Sequence, residues 1–288
     1  MIKFNKKIFF EAFKNKKNFK PIILSQAFGA YCEKYFIDNN FVVVKGYRKK
    51  NIEYNSILYE AKSLNFMNKK FPNLFPKIYF MNRKMFVMQH ITNNQKKNKN
   101  TEKDLAIKIS KIHQIKNNKF GFKYDTPIGG FRQPSNFQKS WISFYANKRL
   151  GHIFEEINKS NPMPKKINFA IESILKNLKN LIPDNPEPSL IHGDLWSGNM
   201  LFNNGKLVGL IDPSICYVHK EMEISYLKWF NSISKNFYHY YSENIDLDKD
   251  FFKYSEIYEL YYSLLNVHLW DRKYIHNVEK LTRKFRER

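Results

Sequence analysis

The sequence predicts an α+β fold, a small antiparallel-sheet lobe with one helix followed by a larger, mainly helical lobe. Three observations lead there. Short β-branched and aromatic runs crowd the first ninety residues. A polar, Asn/Lys-rich tract from Gln89 to Asn100 then reads as a hinge. Beyond it, apolar residues recur at helical spacing, interrupted by one strand-rich insert from Leu190 to Asp212. The lobes are expected at residues 1–91 and 92–288.

Each element has its own signal. Phe41 to Lys45 is a β-branched strand, and Tyr79-Phe80 and Met85 to Met88 are two more strands separated by the turn-like Asn82-Arg83-Lys84. Between them Ile52 to Asn68 reads as a helix that ends before Pro72. In the second lobe, Asp104 to Ile115 carries Leu105, Ile109 and Ile112 on one helical face. A Gly/Pro-rich loop, Pro127 to Pro134, precedes a helix expected over Phe137 to Leu150. Another helix is expected over Ile167 to Leu181, stopped by Pro183, Pro186 and Pro188. Two long aromatic helical stretches close the chain, Glu221 to Tyr241 and Phe251 to Trp270.

Composition narrows the class. With 43% hydrophobic residues, 26 Phe and 18 Tyr, the chain can bury a substantial core. Cys32 and Cys216 form neither a disulfide framework nor a metal motif, which suits a reducing compartment. The N-terminal apolar run, Ile8 to Phe10, is too short for a signal peptide or membrane span, so a cytoplasmic protein without a membrane partner is expected. The net charge is +23, but Lys outnumbers Arg about five to one, and nucleic-acid recognition favours the Arg fork. Lys, Asn, Ile, Phe and Tyr are all abundant, as AT-rich codons dictate. The basic residues are also dispersed: Lys3, Lys6, Lys7, Lys14, Lys16, Lys17 and Lys20, then Lys96-Lys97, then the tail Arg283 to Arg288. A solvated surface is the reading, with some attraction for acidic substrates.

The stretch that carries chemistry is Ile191-His-Gly-Asp194-Leu-Trp-Ser-Gly-Asn199, followed by a hairpin and Asp212. Asn204-Gly205 between apolar runs marks the hairpin turn. Centred there, Phe202 faces Leu207 and Met200 faces Gly209, and Asn199 falls within about two residues of Asp212, about 5 Å across neighbouring strands. Asp-x-x-x-x-Asn, a hairpin and a further Asp form a phosphoryl-transfer layout. In it Asp194 accepts or orients the acceptor hydroxyl, and Asn199 and Asp212 hold Mg²⁺ through hard oxygen ligands. His192 reads as support for the loop. No Gly-x-Ser-x-Gly, His-Glu-x-x-His or paired-Cys motif supports a hydrolase or zinc site.

Phosphoryl transfer also needs a cation on the phosphates. Lys45 shares a strand face with Phe41 and Val43, and Glu60 lies on the apolar helix stripe of Ile57, Ala61 and Leu64. A Lys45–Glu60 ion pair accounts for both, the alternative being two snorkelling surface chains. The candidate nucleotide loop, Ser25 to Tyr31, has a single glycine, Gly29. Nearby Cys32 reads as a buried inert thiol or a redox-sensitive one.

Leu190-Ile-His-Gly-Asp-Leu-Trp-Ser-Gly-Asn199 closely resembles the fructosamine/ketosamine-3-kinase family, a branch of the aminoglycoside-phosphotransferase-like, protein-kinase-like superfamily. The resemblance runs from about residue 20 to 275 through Val44-Lys45, Tyr59-Glu60-Ala61, Phe86 to Met88, Ile128 to Gly130, Asp212-Pro213 and His219-Lys-Glu221. It implies a two-lobed kinase that uses ATP and Mg²⁺ to phosphorylate the sugar 3-hydroxyl of a ketoamine, free or on a protein lysine. The adduct then decomposes and frees the amine. It further implies Asp194 as base, Lys45 on the phosphates with Glu60, and Met88, Gln89 and His90 as the segment that meets adenine. Glu221 falls on the substrate side. Trp196, beside the catalytic Asp, is a candidate sugar platform, with plain packing as its alternative.

The sequence departs from the family at the nucleotide loop, which lacks clustered glycines, and at Gln89-His90. It departs also along Thr126 to Ser140, and at Glu223, where an Asp is expected. Two alternatives stand beside the ketoamine kinase: a kinase for another small alcohol, or a catalytically decayed basic protein that binds nucleotide or nucleic acid. A monomer or weak homodimer is expected.

Overall fold

Five antiparallel strands arise from the apolar runs of the first ninety residues: β1 (Ile22–Ala27), β2 (Ala30–Ile37), β3 (Asn40–Tyr47), β4 (Ile78–Met81) and β5 (Met85–Gln89). Their order is β1-β2-β3-β5-β4. The computed structural model describes residues 7, 9–11, 20–37, 39–48 and 53–285. Ile8, the basic residues Lys3, Lys6, Lys14, Lys16 and Lys17, the expected helix start at Ile52, and Arg286 and Arg288 lie outside them. The chain divides into a first unit of residues 1–98, 126–132 and 198–214 and a second of 99–125, 133–197 and 215–288. The α+β class expected from the sequence is the one observed.

In the first unit the pleat sorts the side chains. Tyr31, Tyr35, Val42, Val44, Met85 and Val87 cluster with Phe9 on one sheet face. Period-two alternation and the β2–β3–β5 register send Cys32, Val43, Lys45, Phe86 and Met88 to the other. Helix α1 (Ser56–Lys70) buries Ile57, Glu60, Ala61 and Leu64. It starts at Ser56 because the Asn55 side chain accepts a hydrogen bond from the Leu58 N–H at 2.9 Å. It stops at Lys70, with the Phe71 N–H closing on Met67 just before Pro72.

Six further strands follow: β6 (Thr126–Ile128), β7 (Phe131–Gln133), β8 (Pro188–Ile191), β9 (Met200–Asn203), β10 (Lys206–Leu210) and β11 (Cys216–His219). They pair as β6–β7, β9–β10 and β8–β11. The β9–β10 turn is Asn204-Gly205, both with positive φ, as the Asn-Gly signal required. Phe202 faces Leu207, but Met200 faces Leu210 and Gly209 faces Leu201. The register shifts between Leu207 and Gly209, a one-residue bulge that corrects the regular ladder expected.

The second unit holds α2 (Thr101–His113), α3 (Trp141–Tyr145), α4 (Gly151–Ser160), α5 (Lys165–Lys176), α6 (Leu178–Leu181), α7 (Glu221–Trp229), α8 (Lys235–Ser242), α9 (Phe251–Leu269) and α10 (Ile275–Thr282). The helix expected from Phe137 begins at Trp141, where the Ser140 side chain caps Ser143. The expected Glu221–Tyr241 helix is two helices, because Asn231 turns to positive φ and Ser234 caps α8. Helix α9 is buried nearly all round. Two of its tyrosines have their hydroxyls engaged, Tyr258 accepting from Trp141 Nε1–H at 2.9 Å and Tyr254 donating to Asp248 at 3.0 Å, whereas the buried Tyr262 hydroxyl has no hydrogen-bond partner among the described residues.

Between α3 and α4 lies a π turn, Ala146–Leu150, which brings the Ala146 carbonyl against Gly151. A Cβ on Gly151 would lie 2.2 Å from that oxygen. Gly151→Ala is therefore expected to cost about 1–3 kcal/mol of stability, read as a lower urea midpoint. An unchanged midpoint would mean that the turn relaxes freely.

Candidate active site

In the first unit, β3 aims Lys45 at α1. Its Nζ lies 2.8 Å from Glu60 and 2.9 Å from Asp212 Oδ2. The Lys45 side chain is 15% exposed, so the contact with Glu60 is an interior ion pair and not two snorkelling chains. Burial alone would lower the Lys45 pKa, but Asp212 and Glu60 outweigh it and raise it. Burial also pushes the Glu60 carboxyl up, to about 8, against the pull of Lys45. With an ammonium 2.8 Å away, the charged pair is the state that the geometry favours.

Asp212 follows β10 with φ +55°, the left-handed region that Asp tolerates better than most residues. The Asn199 carbonyl accepts from the Ile211 N–H at 3.1 Å, so the hairpin's open end sets Asn199 beside the residue preceding Asp212. One ammonium against two carboxylates leaves the cluster net negative. One carboxylate and one amide are a donor set that fits Mg²⁺, which takes few protein ligands and completes its shell with phosphate and water.

The tract after β5 is tied to the hairpin. The Asn94 and Gln95 N–H groups donate to the Phe202 carbonyl at 3.0 and 2.9 Å, and the Asn94 side chain meets Asn204. Its Asn-rich composition thus supplies the amides that satisfy the turn. Met88 is buried in β5 opposite Val43. The Gln89 N–H donates to Lys77 at 2.9 Å, and the half-buried His90 ring lies against Phe41. The β1–β2 connection is a two-residue turn, Phe28-Gly29, both at positive φ. A single glycine suffices there because Phe28 takes the strained position.

Cys32 pairs across the ladder with Lys45. Burial pushes its thiol up to about 12, with Lys45 opposing and Asp212 adding to the rise. Cys32 is therefore expected to resist iodoacetamide at pH 8 while the protein is folded and to react on unfolding. Rapid alkylation of the folded protein would contradict a half-buried thiol held protonated.

In the second unit, β8 leads into His192-Gly193-Asp194. Gly193 has φ +87°, which glycine adopts without strain. Glu223 of α7, fully buried, accepts from the Gly193 N–H at 2.6 Å and the His192 N–H at 3.1 Å. It also lies 3.0 Å from His113 Nε2, whose Nδ1 meets Tyr241 at 2.6 Å. Burial alone would raise the Glu223 pKa, but His113 and the loop outweigh it and lower it. His192, buried, accepts from the Asp194 N–H at 3.3 Å, the supporting role expected of it. The Tyr226 hydroxyl donates to Asp194 Oδ1 at 2.9 Å. The Trp196 ring, half-buried, lies 5.7 Å from that of Phe230.

Glu223 and Tyr226 are the residues that sequence reasoning missed as site residues. The traces were their position three apart on one helix and, for Glu223, its standing where the family has an Asp. Glu221 is fully buried, 2.5 Å from both His219 Nε2 and Lys220 Nζ. Burial alone would raise its pKa, but His219 and Lys220 carry it well below the usual carboxylate range. It borders a cavity of about 360 Å³ with Pro183, Ser189 and Asp248, at the Pro188–His219 end of the β8–β11 ladder. Asp194 follows the Ile191 end of that ladder.

The fructosamine kinase family model matches residues 12–288. An Enterococcus faecium protein assigned as a ketoamine kinase is 30% identical over 192 residues, 65% of this chain and 68% of that protein. The chloroplastic protein-ribulosamine 3-kinase of Arabidopsis thaliana is 28% identical over 176 residues, which is 59% of this chain and 53% of that protein. A solved Haemophilus somnus structure assigned as a fructosamine-3-kinase gives a TM-score of 0.82 at 23% identity, over 97% of both chains. The fold, shared also with aminoglycoside phosphotransferases, is the kinase-like α+β one.

Proposed function

The chain belongs to the fructosamine kinase family, and from that premise we propose that it transfers the γ-phosphoryl group of ATP to the sugar 3-hydroxyl of a ketoamine. Fructosyl-, ribulosyl- and erythrulosyl-lysine, free or in a protein, are the substrate class. The phosphorylated adduct then decomposes and frees the amine, so the reaction serves deglycation in the cytoplasm. The observation that carries this reading is Lys45 held between Glu60 and Asp212 at 2.8 and 2.9 Å. A half-buried ammonium fixed by a helix carboxylate suits a phosphate anchor, and an adjacent carboxylate suits the metal that travels with the nucleotide.

The roles follow from the chemistry. Residues 1–91 form the nucleotide lobe, in which Met88, Gln89 and His90 meet adenine through backbone groups. Residues 92–288 supply the catalytic and substrate side, although 92–98, 126–132 and 198–214 group with the first unit. Lys45 orients the phosphates, with Glu60 fixing its head. Asn199 and Asp212 hold Mg²⁺, which when bound neutralises phosphate charge. Asp194 receives or orients the proton of the acceptor hydroxyl, so that the oxygen lone pair points at the γ-phosphorus. Trp196 offers an aromatic face to the sugar, and Glu221, at the end of the β8–β11 ladder away from Asp194, braces the start of α7 through His219 and Lys220.

The test is ADP release by purified protein with Mg-ATP and ribulosyl- or fructosyl-lysine. ADP formation that depends on the ketoamine and is lost with EDTA is the expected result. Mg²⁺-dependent ATP binding without ketoamine turnover would overturn the substrate assignment. It would favour the second reading, a kinase for another small alcohol, which the altered Thr126 to Ser140 segment supports.

A further inference from the structure

Helix α7 touches the catalytic loop twice from one face. Glu223 holds the loop's backbone through the His192 and Gly193 N–H groups. One turn later Tyr226 reaches the side chain of Asp194 itself, its hydroxyl 2.9 Å from Oδ1. The Tyr226 ring is buried and clamped. It stacks on Tyr262 with centroids 3.9 Å apart and meets the Phe230 ring edge-on at 4.9 Å. Phe230 in turn contacts Trp196, so the ring that carries the hydroxyl and the candidate sugar platform share a neighbour. A phenol fixed by stacked rings cannot follow the carboxylate as it rotates, so the carboxylate must follow the phenol.

We propose that Tyr226 is a positioning residue for phosphoryl transfer, setting the rotation of the Asp194 carboxylate through the hydrogen bond to Oδ1. This rests on the assignment of Asp194 as the group that meets the acceptor hydroxyl. A free carboxylate turns about its χ2 over a broad range. The Tyr226 hydroxyl selects one setting, in which Asp194 is already aligned when the acceptor arrives. The phenol donates and keeps its proton: burial first, and then the Asp194 charge, raise its pKa well above the ordinary tyrosine value. It therefore orients Asp194 without competing as a base.

The test compares wild type with Tyr226→Phe, which keeps the stacked ring and removes only the hydroxyl. With Mg-ATP and ribulosyl-lysine, kcat is expected to fall about tenfold. The KM for ATP and the thermal midpoint are expected to stay close to wild type. Tyr226→Leu, which also removes the ring, is expected to lower the midpoint as well. A Tyr226→Phe enzyme within twofold of wild-type kcat overturns the proposal. So does a loss of kcat matched by a lower midpoint and a higher KM for ATP, because that is the signature of a packing role. If wild type shows no ketoamine turnover, the substrate assignment fails on its own, and the comparison moves to Asp194-dependent hydrolysis of Mg-ATP by water. There a tenfold loss in Tyr226→Phe supports the proposal, and equal or absent hydrolysis overturns it.

Discussion

Asp194→Asn is expected to lower ketoamine-dependent ADP release by about 10²–10⁴-fold, the usual worth of a positioned general base, while leaving the thermal midpoint nearly unchanged. The substitution is close to isosteric, and an amide oxygen can still accept from the Tyr226 hydroxyl. The loop backbone is held independently, by Glu223 on the His192 and Gly193 N–H groups. What disappears is the negative charge that, in the proposed role of Asp194, draws the proton of the acceptor hydroxyl. ATP affinity should survive, since Lys45, Glu60 and Asp212 are untouched. A variant within tenfold of wild type would remove Asp194 from the proton's path and leave catalysis to positioning alone.

Glu223→Ala is expected to be the most damaging single change to stability, at about 3–5 kcal/mol. Glu223 is fully buried and accepts from two backbone N–H groups and from His113. Truncation leaves all three without that acceptor in a dry interior, where an unmade hydrogen bond carries its full desolvation penalty. Glu223→Gln keeps the length and one good acceptor oxygen, and should cost clearly less. Urea unfolding of both variants checks the order. Equal midpoints would show that the loop finds other partners. Acid should act on the same contact. Because the folded-state pKa of Glu223 is lowered, its contribution is complete above the unfolded value of about 4.3. It is lost as pH falls through the lower folded value, so wild type should lose this increment in acid and Glu223→Ala should not.

How much of this was legible in the sequence depends on whether the signal was local. The Asn204-Gly205 turn, the Lys45–Glu60 pair and the spacing from Asp194 to Asp212 are short-range patterns tied to backbone geometry, and they could be read directly. Strands β1 and β2 were not resolved individually. In β1, Ile22, Ile23 and Leu24 are consecutive and exposed, so no alternation shows. In β2, the buried Glu33 interrupts the apolar face and is tolerated because Tyr35 donates to it at 2.7 Å. The β10 bulge was hidden too. Its trace is Gly209, where a Cβ would lie 2.6 Å from Ile91, a close approach that no pattern in the strand announces. Glu223 and Tyr226 matter through partners far away in sequence, which a reading of one helix cannot supply.

The hairpin that carries Asp212 belongs to the first unit although it lies in the last third of the chain. Asp212 is 167 residues beyond the lysine it meets. During synthesis at about 5–20 residues per second, that separation is a delay of roughly 10–30 s. Throughout it, the five-stranded sheet and α1 can assemble, and Lys45 can find Glu60. The segment from Ile91 to Asn98, however, has no hairpin to satisfy its amides. The nascent chain therefore carries an unfinished first unit until most of the second unit has been made. Completion of the Lys45–Glu60–Asp212 cluster is thereby tied to the translation of the His192–Asp194 loop just upstream of Asp212.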